Sequence, residues 1–457
     1  MHRKMPCMGF CFILTRDIHP LNITIIMFGL LLSIVINILS LGAQPGDEST
    51  NNAPIINQAI RQCAEAGGGS VVIPSGVFTT GSIYLQSGVR LHLERGAVLK
   101  GSRRLADYAP LRTHIDLSKY ESGQGTVNYN SATDPQWSLA LIHGVGISQS
   151  GIEGEGCIDG NNVRNALGEE GMRGPHTLLL ASCDNCKFEG FEVKNSANYA
   201  FLGYLVNHTS FTHLRIQGGW DGIHIRGAQD VKIERCEMHT GDDAIAGGYW
   251  DKMKISHCIL NSSCNGIRMI MPSTRLEIAD CEIYGPGEHE HITSHRTHSE
   301  AAINLEPGAW GKAPGRMDHI YIRRNQIREV LTPLSITLGD ANTCGKIVVS
   351  DMTARDITHM ALSVKSWGKD PTDLVVLRRC DLEFRGIDDE KLPTWFENRP
   401  TSEWQVFPSW GMYFRNVKKV ETQDILLRIK GKDYRKAYIW ENGEKEIKGI
   451  RFENSPL

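Results

Sequence analysis

Three aspartates and an asparagine carry the strongest chemical signal in the chain. Asp221, Asp243 and Asn265 follow one another at intervals of 22 residues, and Asp242 stands beside the second. If the chain repeats on that interval, the four side chains share one face. Crowded carboxylates raise one another's pKa, so one can hold a proton while another stays ionised. Glycoside hydrolysis needs that division: an acid for the leaving oxygen and a carboxylate to activate water. In the inverting form the two stand roughly 6.5–9.5 Å apart to leave room for the water. A solvated Gly-Asp-Asp turn, or a calcium site, is the plainer reading of Asp242-Asp243 alone. An aspartate one repeat earlier on the same face favours chemistry, with Asp221, Asp242 and Asp243 as catalytic candidates.

The neighbours suit a sugar. If Ile223 and Ile225 point inward, His224 and Arg226 point outward beside Asp221. By the same phase Arg268 takes the outward place that Ala246 and His224 hold one and two repeats earlier. A guanidinium can grip a sugar carboxylate through two parallel hydrogen bonds. His224, Arg226, Asn265 and Arg268 are therefore substrate-binding candidates; for Arg268 the alternative is a structural ion pair.

The elements that must position these residues are short strands. Val231, Ile233, Cys236 and Met238 recur as Met253, Ile255, Cys258 and Leu260, then as Leu276, Ile278, Cys281 and Ile283. This is period-two alternation with one extra residue at a bend. Ile223, Ile245 and Ile267 keep the same interval in a second strand, and later copies begin at Ile320, Ile347 and Val375, with longer steps that imply inserted loops. A 22-residue unit of short strands without a helix is a coil of an all-β parallel β-helix, whose coils stack about 4.8 Å apart and line an inner face with aliphatic side chains. The spacing of a leucine-rich horseshoe is absent. Ala53 to Ala66, with apolar Ile55, Ile56, Ala59, Ile60 and Cys63 ahead of Gly67-Gly68-Gly69, predicts a short amphipathic helix covering the open first coil.

The 457 residues carry a net charge of −3, which argues against a broad basic face for nucleic acid or anionic membrane. Leu21 to Ala43 is free of charge and follows Arg3, Lys4 and Arg16. It reads as an export signal or an uncleaved membrane anchor over residues 1–43, with the glycosidase domain at 44–457 and its catalytic coils at about 195–310. The protein is then expected to be secreted or periplasmic, touching a membrane only through that anchor. Of twelve cysteines, Cys236, Cys258 and Cys281 share one repeat phase, which favours small buried residues over bridges. Cys183 and Cys186 form a CxxC without a redox or zinc context, and Cys7 and Cys11 lie in the leader.

Trp220-Asp221-Gly222-Ile223 and Gly241-Asp242-Asp243-Ala244-Ile245-Ala246 resemble the Asn-Thr-Asp-Gly and Gly-Asp-Asp motifs of polygalacturonases, glycoside hydrolase family 28. Ala66-Gly67-Gly68-Gly69 with Ile73-Pro74-Ser75-Gly76, Leu91 to Leu99, Gly154 to Gly160 and Asn195-Ser196-Ala197 are similar to family segments in the same order. The resemblance implies a right-handed, single-stranded parallel β-helix, a pectic polysaccharide substrate, no cofactor and a monomer. It also implies Asp242 as general acid, with Asp221 and Asp243 holding the water.

The chain departs from the family in two places. Cys264-Asn265-Gly266 stands where the family has Gly-His-Gly, and Asn304-Leu305-Glu306 stands in the coil of its Arg-Ile-Lys. Arg268 could replace the missing clamp. The insertion Gly285 to Glu300, with His289, His291, His295, Arg296 and His298, could return a histidine, and His291 and His295 are the candidates; a solvated loop, or a metal held by His289 and His291, is the alternative. Two other functions compete: a polysaccharide lyase on a similar β-helix, with Ca²⁺ on the aspartates and Arg268 as base, and a non-catalytic glycan-binding β-helix.

Overall fold

The computed structural model describes residues 23–28, 31–121, 130–388 and 407–455. The first 22 residues, with Cys7 and Cys11, lie outside it. The strands pair almost entirely in parallel, each with its counterpart one turn earlier and one turn later. Phe201, Ile223, Ile245, Ile267, Ile303 and Leu334 are successive register partners, all buried. This inner column is the predicted phase, extended by one coil before and two after. Each fully buried side chain of this size contributes about 1.5–3 kcal/mol relative to exposure.

The extra residue at each bend has a clear conformation. Arg235, His257, Asp280, Arg324, Asp351 and Arg379 all have φ between 49° and 58°. A single left-handed residue turns the strand and lets the next side chain point inward, at the steric cost a non-glycine pays there. The residues that follow are Cys236, Cys258, Cys281, Asn325, Met352 and Cys380, all buried. The cysteines are free thiols, and the Cys236 and Cys258 Sγ atoms approach the carbonyls of Phe211 and Ile233 one coil back at 3.5 and 3.6 Å. Asn325 uses the same place to bond the backbone of the previous coil, accepting from Cys281 N–H at 3.0 Å and donating to Ile278 O at 3.1 Å.

The helix runs Ala53–Glu65, with Pro54 in its first turn, where a missing N–H costs nothing. Gly67 ends it at φ 94°. Ala53, Ile56, Ala59, Ile60 and Cys63 are buried on the face that covers the first coil. The stretch before residue 44, the expected boundary, also pairs with the solenoid. The strand Leu31–Asn37 pairs in parallel with Gly69–Ile73, and Ile36, Ile38 and Ala43 belong to the same core as the helix. A cleavage after Ala43 would remove that strand and the apolar surface it buries. Among the described residues no helix is long and apolar enough to cross a membrane.

Candidate active site

The floor of the site is a ladder of side chains that each reach one coil forward. Asp221 Oδ1 accepts the N–H of Asp243 at 3.3 Å, and Asp243 Oδ1 accepts the N–H and Nδ2–H of Asn265 at 3.1 and 2.8 Å. Backbone bonds run beside them, from Gly222 N–H to Asp243 O and from Ala244 N–H to Asn265 O, both 3.0 Å. Stacking is tight enough that a Cβ on Gly222 would lie 2.5 Å from Ala244 O, so an Asp-Gly pair is what the geometry permits.

Asp242 is placed differently. Its carbonyl is pinned by Thr240 and Ser262 hydroxyls at 2.8 and 2.7 Å, and its side chain is the most open of the three, at 14% against 3% and 7% for Asp221 and Asp243. Asp242 Oδ2 stands 3.7 Å from Arg173 Nη2 and 3.7 Å from His291 Nε2. Burial pushes the Asp242 carboxyl up, but the approach of the His291 Nε2–H and the charges of Arg173 and Arg268 outweigh it and hold the group below the usual carboxylate range. Asp221 is pushed well up by burial and then by the charges of Asp242 and Asp243. Asp243 is raised by burial, against the opposing charge of Arg268.

His291 does come into the site, carried by the insertion between Glu282–Tyr284 and Ser299–Leu305. Asn261 staples that loop through Pro286 O at 2.8 Å and Glu288 N–H at 2.7 Å, and Ser263 Oγ donates to His289 O. The N–H of Ser294 donates to His291 Nδ1 at 3.2 Å. The ring proton is therefore on Nε2, facing Asp242. His295 does not join: its side chain is 71% exposed and pairs with Glu290 at 3.3 Å. His289 turns to Gln217, with Nε2 and Oε1 3.4 Å apart, so it and His291 do not converge on a metal.

Arg268 Nη1 lies 3.6 Å from Asp243 Oδ2, the guanidinium sits 5.2 Å from the centroid of the Trp310 ring, and its Nε has no hydrogen-bond partner. Arg226 and His224 are buried and bonded to each other, Arg226 Nε donating to His224 Nε2 at 2.9 Å. Sequence reasoning missed Arg173, whose guanidinium stacks 3.6 Å above Trp220 and bonds Glu170 at 2.8 Å. It missed Tyr199 too, stacked on His224 with centroids 4.8 Å apart. Tyr199 lies one coil before Asp221 in the same column, so the register offered a signal; Arg173 belongs to a loop outside the repeat. Together these groups line a cavity of about 240 Å³, whose wall also includes Trp310, Ile270, Glu169 and Glu170.

Asp242, Asp243 and Cys264 each offer an atom within 4.8 Å of the others, the one such trio among the described residues. A thiol in the set and two guanidiniums beside it do not suit Ca²⁺, which takes six to eight oxygens.

Residues 63–268 match the model of Glycosyl hydrolases family 28. The matched stretch, somewhat under half of the chain, is similar to that family. It contains the whole aspartate ladder and ends on Arg268, while the loop bearing His291 lies beyond it. The chain is 30% identical over 202 residues to an exo-poly-alpha-D-galacturonosidase of Dickeya chrysanthemi, covering 44% of this chain and 31% of that protein. It is 25% identical over 305 residues to a probable polygalacturonase of Vitis vinifera, covering 61% and 58%. The chain thus spans about a third and somewhat over half of the length of these two relatives. A hyperthermoactive exopolygalacturonase of Thermotoga maritima shares the fold, with a TM-score of 0.61 at 16% identity over 86% of this chain and 91% of that one.

Proposed function

We propose that this protein is an exported glycoside hydrolase that cleaves a pectic, uronate-containing polysaccharide with inversion. The observation that carries the reading is the aspartate ladder in a segment similar to family 28, walled by Arg173, Arg268 and His291. Asp221 and Asp243, on adjacent coils, hold and deprotonate the attacking water. Asp242, whose oxygens face the cavity, protonates the leaving oxygen, a contribution of about 10²–10⁴-fold for a positioned acid. In the empty site the His291 N–H and the charges around Asp242 favour its carboxylate. A sugar carboxylate that engages Arg173 and His291 competes for those charges and shifts Asp242 toward the protonated form. Acid function and substrate charge are linked in this way.

The cavity, about 240 Å³, falls below the roughly 300–1,000 Å³ of pockets that enclose drug-sized ligands. That size favours a chain end over a mid-chain segment. The related exo-poly-alpha-D-galacturonosidase is in keeping with this. Export rests on the charge-free stretch from Leu21 and the basic residues before it.

The test is to incubate the protein with homogalacturonan, rhamnogalacturonan and neutral pectic side chains, following new reducing ends, product size and ultraviolet absorbance. Short saturated products from the start of the reaction are expected. Unsaturated, absorbing products would show a lyase, and no cleavage of any glycan would leave only binding.

A further inference from the structure

The fully buried guanidinium of Arg226 points to a role that sequence phase did not suggest. Arg226 is 0% exposed, and its charge acts on Glu169 across the cavity without a direct ion pair among the described residues. Its Nε–H donates to His224 Nε2 at 2.9 Å and its Nη1–H donates to Tyr120 O at 3.2 Å. The second contact depends on the next residue. Gly227 has φ 85°, and a Cβ there would lie 2.6 Å from the Tyr120 ring, so glycine lets the segment bearing Tyr120 close over the guanidinium.

Arginine can only donate. His224 Nε2 must therefore present its lone pair, and the ring proton is forced onto Nδ1, which lies 2.6 Å from Asp221 Oδ2. With Asp243 N–H on Oδ1, both Asp221 oxygens are acceptors. We infer that Arg226 and His224 form a positioning relay that fixes the imidazole tautomer and thereby keeps Asp221 an ionised acceptor for the attacking water. The inference rests on the hydrolytic reading for its consequence and on geometry alone for the tautomer.

The relay works against its surroundings. Asp221 is faced by Asp242 and Asp243, which oppose its ionisation, and by Arg173 and Arg268, which favour it, with Tyr199 one coil back. His224 is faced by Arg226, His176 and Arg268, which disfavour a second ring proton, and by Asp242, which favours one. Burial is the largest influence on both. A neutral imidazole with a fixed donor lets Asp221 be ionised without placing another charge in the cluster. If Arg226 were apolar, His224 could move its proton to Nε2. Asp221 would then need its own proton to bond Nδ1.

Two measurements test this on the full-length protein. ¹⁵N-histidine NMR, with His224 assigned by its loss in His224→Asn, should show Nε2 unprotonated and Nδ1 protonated across neutral pH. The opposite tautomer, or a ring protonated on both nitrogens, overturns the relay. In pH–rate profiles, Arg226→Met should lower kcat by about 10²–10⁴-fold, the range for a lost base or mis-set tautomer, and move the acid limb to higher pH. His224→Leu should do the same, whereas His224→Asn, which keeps a donor near the Nδ1 position, should recover part of the loss. Variants that fold and keep the wild-type limb would sink the idea. The expected tautomer in a protein that cleaves no glycan would leave the relay standing and remove the hydrolytic reading instead.

Discussion

His291 Nε2 and Asp242 Oδ2 face each other at 3.7 Å, although 49 residues separate them and only the aspartate belongs to the repeating coil. The loop supplies a donor to a cavity in which the coil itself presents Cys264.

His291→Leu should therefore raise the pKa of Asp242, because burial is no longer offset by the ring N–H that faces it. With Asp242 as the acid, the alkaline limb of kcat/KM should move to higher pH. Profiles of wild type and variant on a short oligogalacturonide decide it. Movement of the acid limb would place Asp242 on the base side.

Arg268 offers a free Nε beside the ladder. If it clamps a uronate, Arg268→Lys should lower kcat/KM on a charged oligosaccharide more than on a neutral one of the same linkage, and Arg268→Ala should lower it further. An unchanged charged-to-neutral ratio in folded variants would assign Arg268 to structure alone.

Glu306, in the coil after Arg268, is pushed up from 4.5 to about 7 by burial, with Arg268 and Lys365 opposing. Lys365 is pulled down to about 8 by burial, against the pull of Glu306. A carboxyl whose folded pKa exceeds its unfolded one stabilises fully below about pH 4.5 and loses that stabilisation as pH rises toward 7. Urea unfolding of Glu306→Gln should show a flatter fall in stability over this window than wild type. Parallel slopes would mean the carboxyl is not so perturbed.

Ile245 sits at the middle of the inner column and is fully buried. Ile245→Ala should cost about 2–5 kcal/mol, as large-to-small changes in packed cores do. A loss under 1 kcal/mol by chemical denaturation would indicate that the coil repacks around the gap.

A chain beginning at residue 44 lacks the strand Leu31–Asn37 and the buried Ile36 and Ile38. It should melt below one beginning at residue 31. Equal melting temperatures would show that the first coil draws nothing from that strand. If the protein is exported, mass spectrometry of its N-terminal residue outside the cell distinguishes the two forms.

Where the chain repeats, the sequence was legible to the residue. Ile223, Ile245 and Ile267 stack as their interval requires, because parallel pairing admits one register and a slip would turn every side chain over. The aspartates inherit their places from that register. The loops have no period, so nothing in the spacing of His289, His291 and His295 shows which one turns inward; Asn261 and Ser263 decide it through hydrogen bonds to the loop backbone. Arg226 had the right outward phase, but the segment ending at Tyr120, more than a hundred residues upstream, closes over it. Leu31 to Asn37 is ambiguous for a different reason. An apolar strand paired inside a solenoid and an export leader have the same composition.

The ladder in which each acidic side chain accepts the N–H of the next coil has a consequence for how such a protein can change. Sliding one coil against its neighbour would break the carboxylate bonds and the sheet together, so the acids are inherited as a block with the fold. The walls are attached only at their ends. A loop of altered length or sequence can bring a new cation or imidazole to the same acids while every floor distance is preserved. The loops can thus be varied without disturbing the acidic floor.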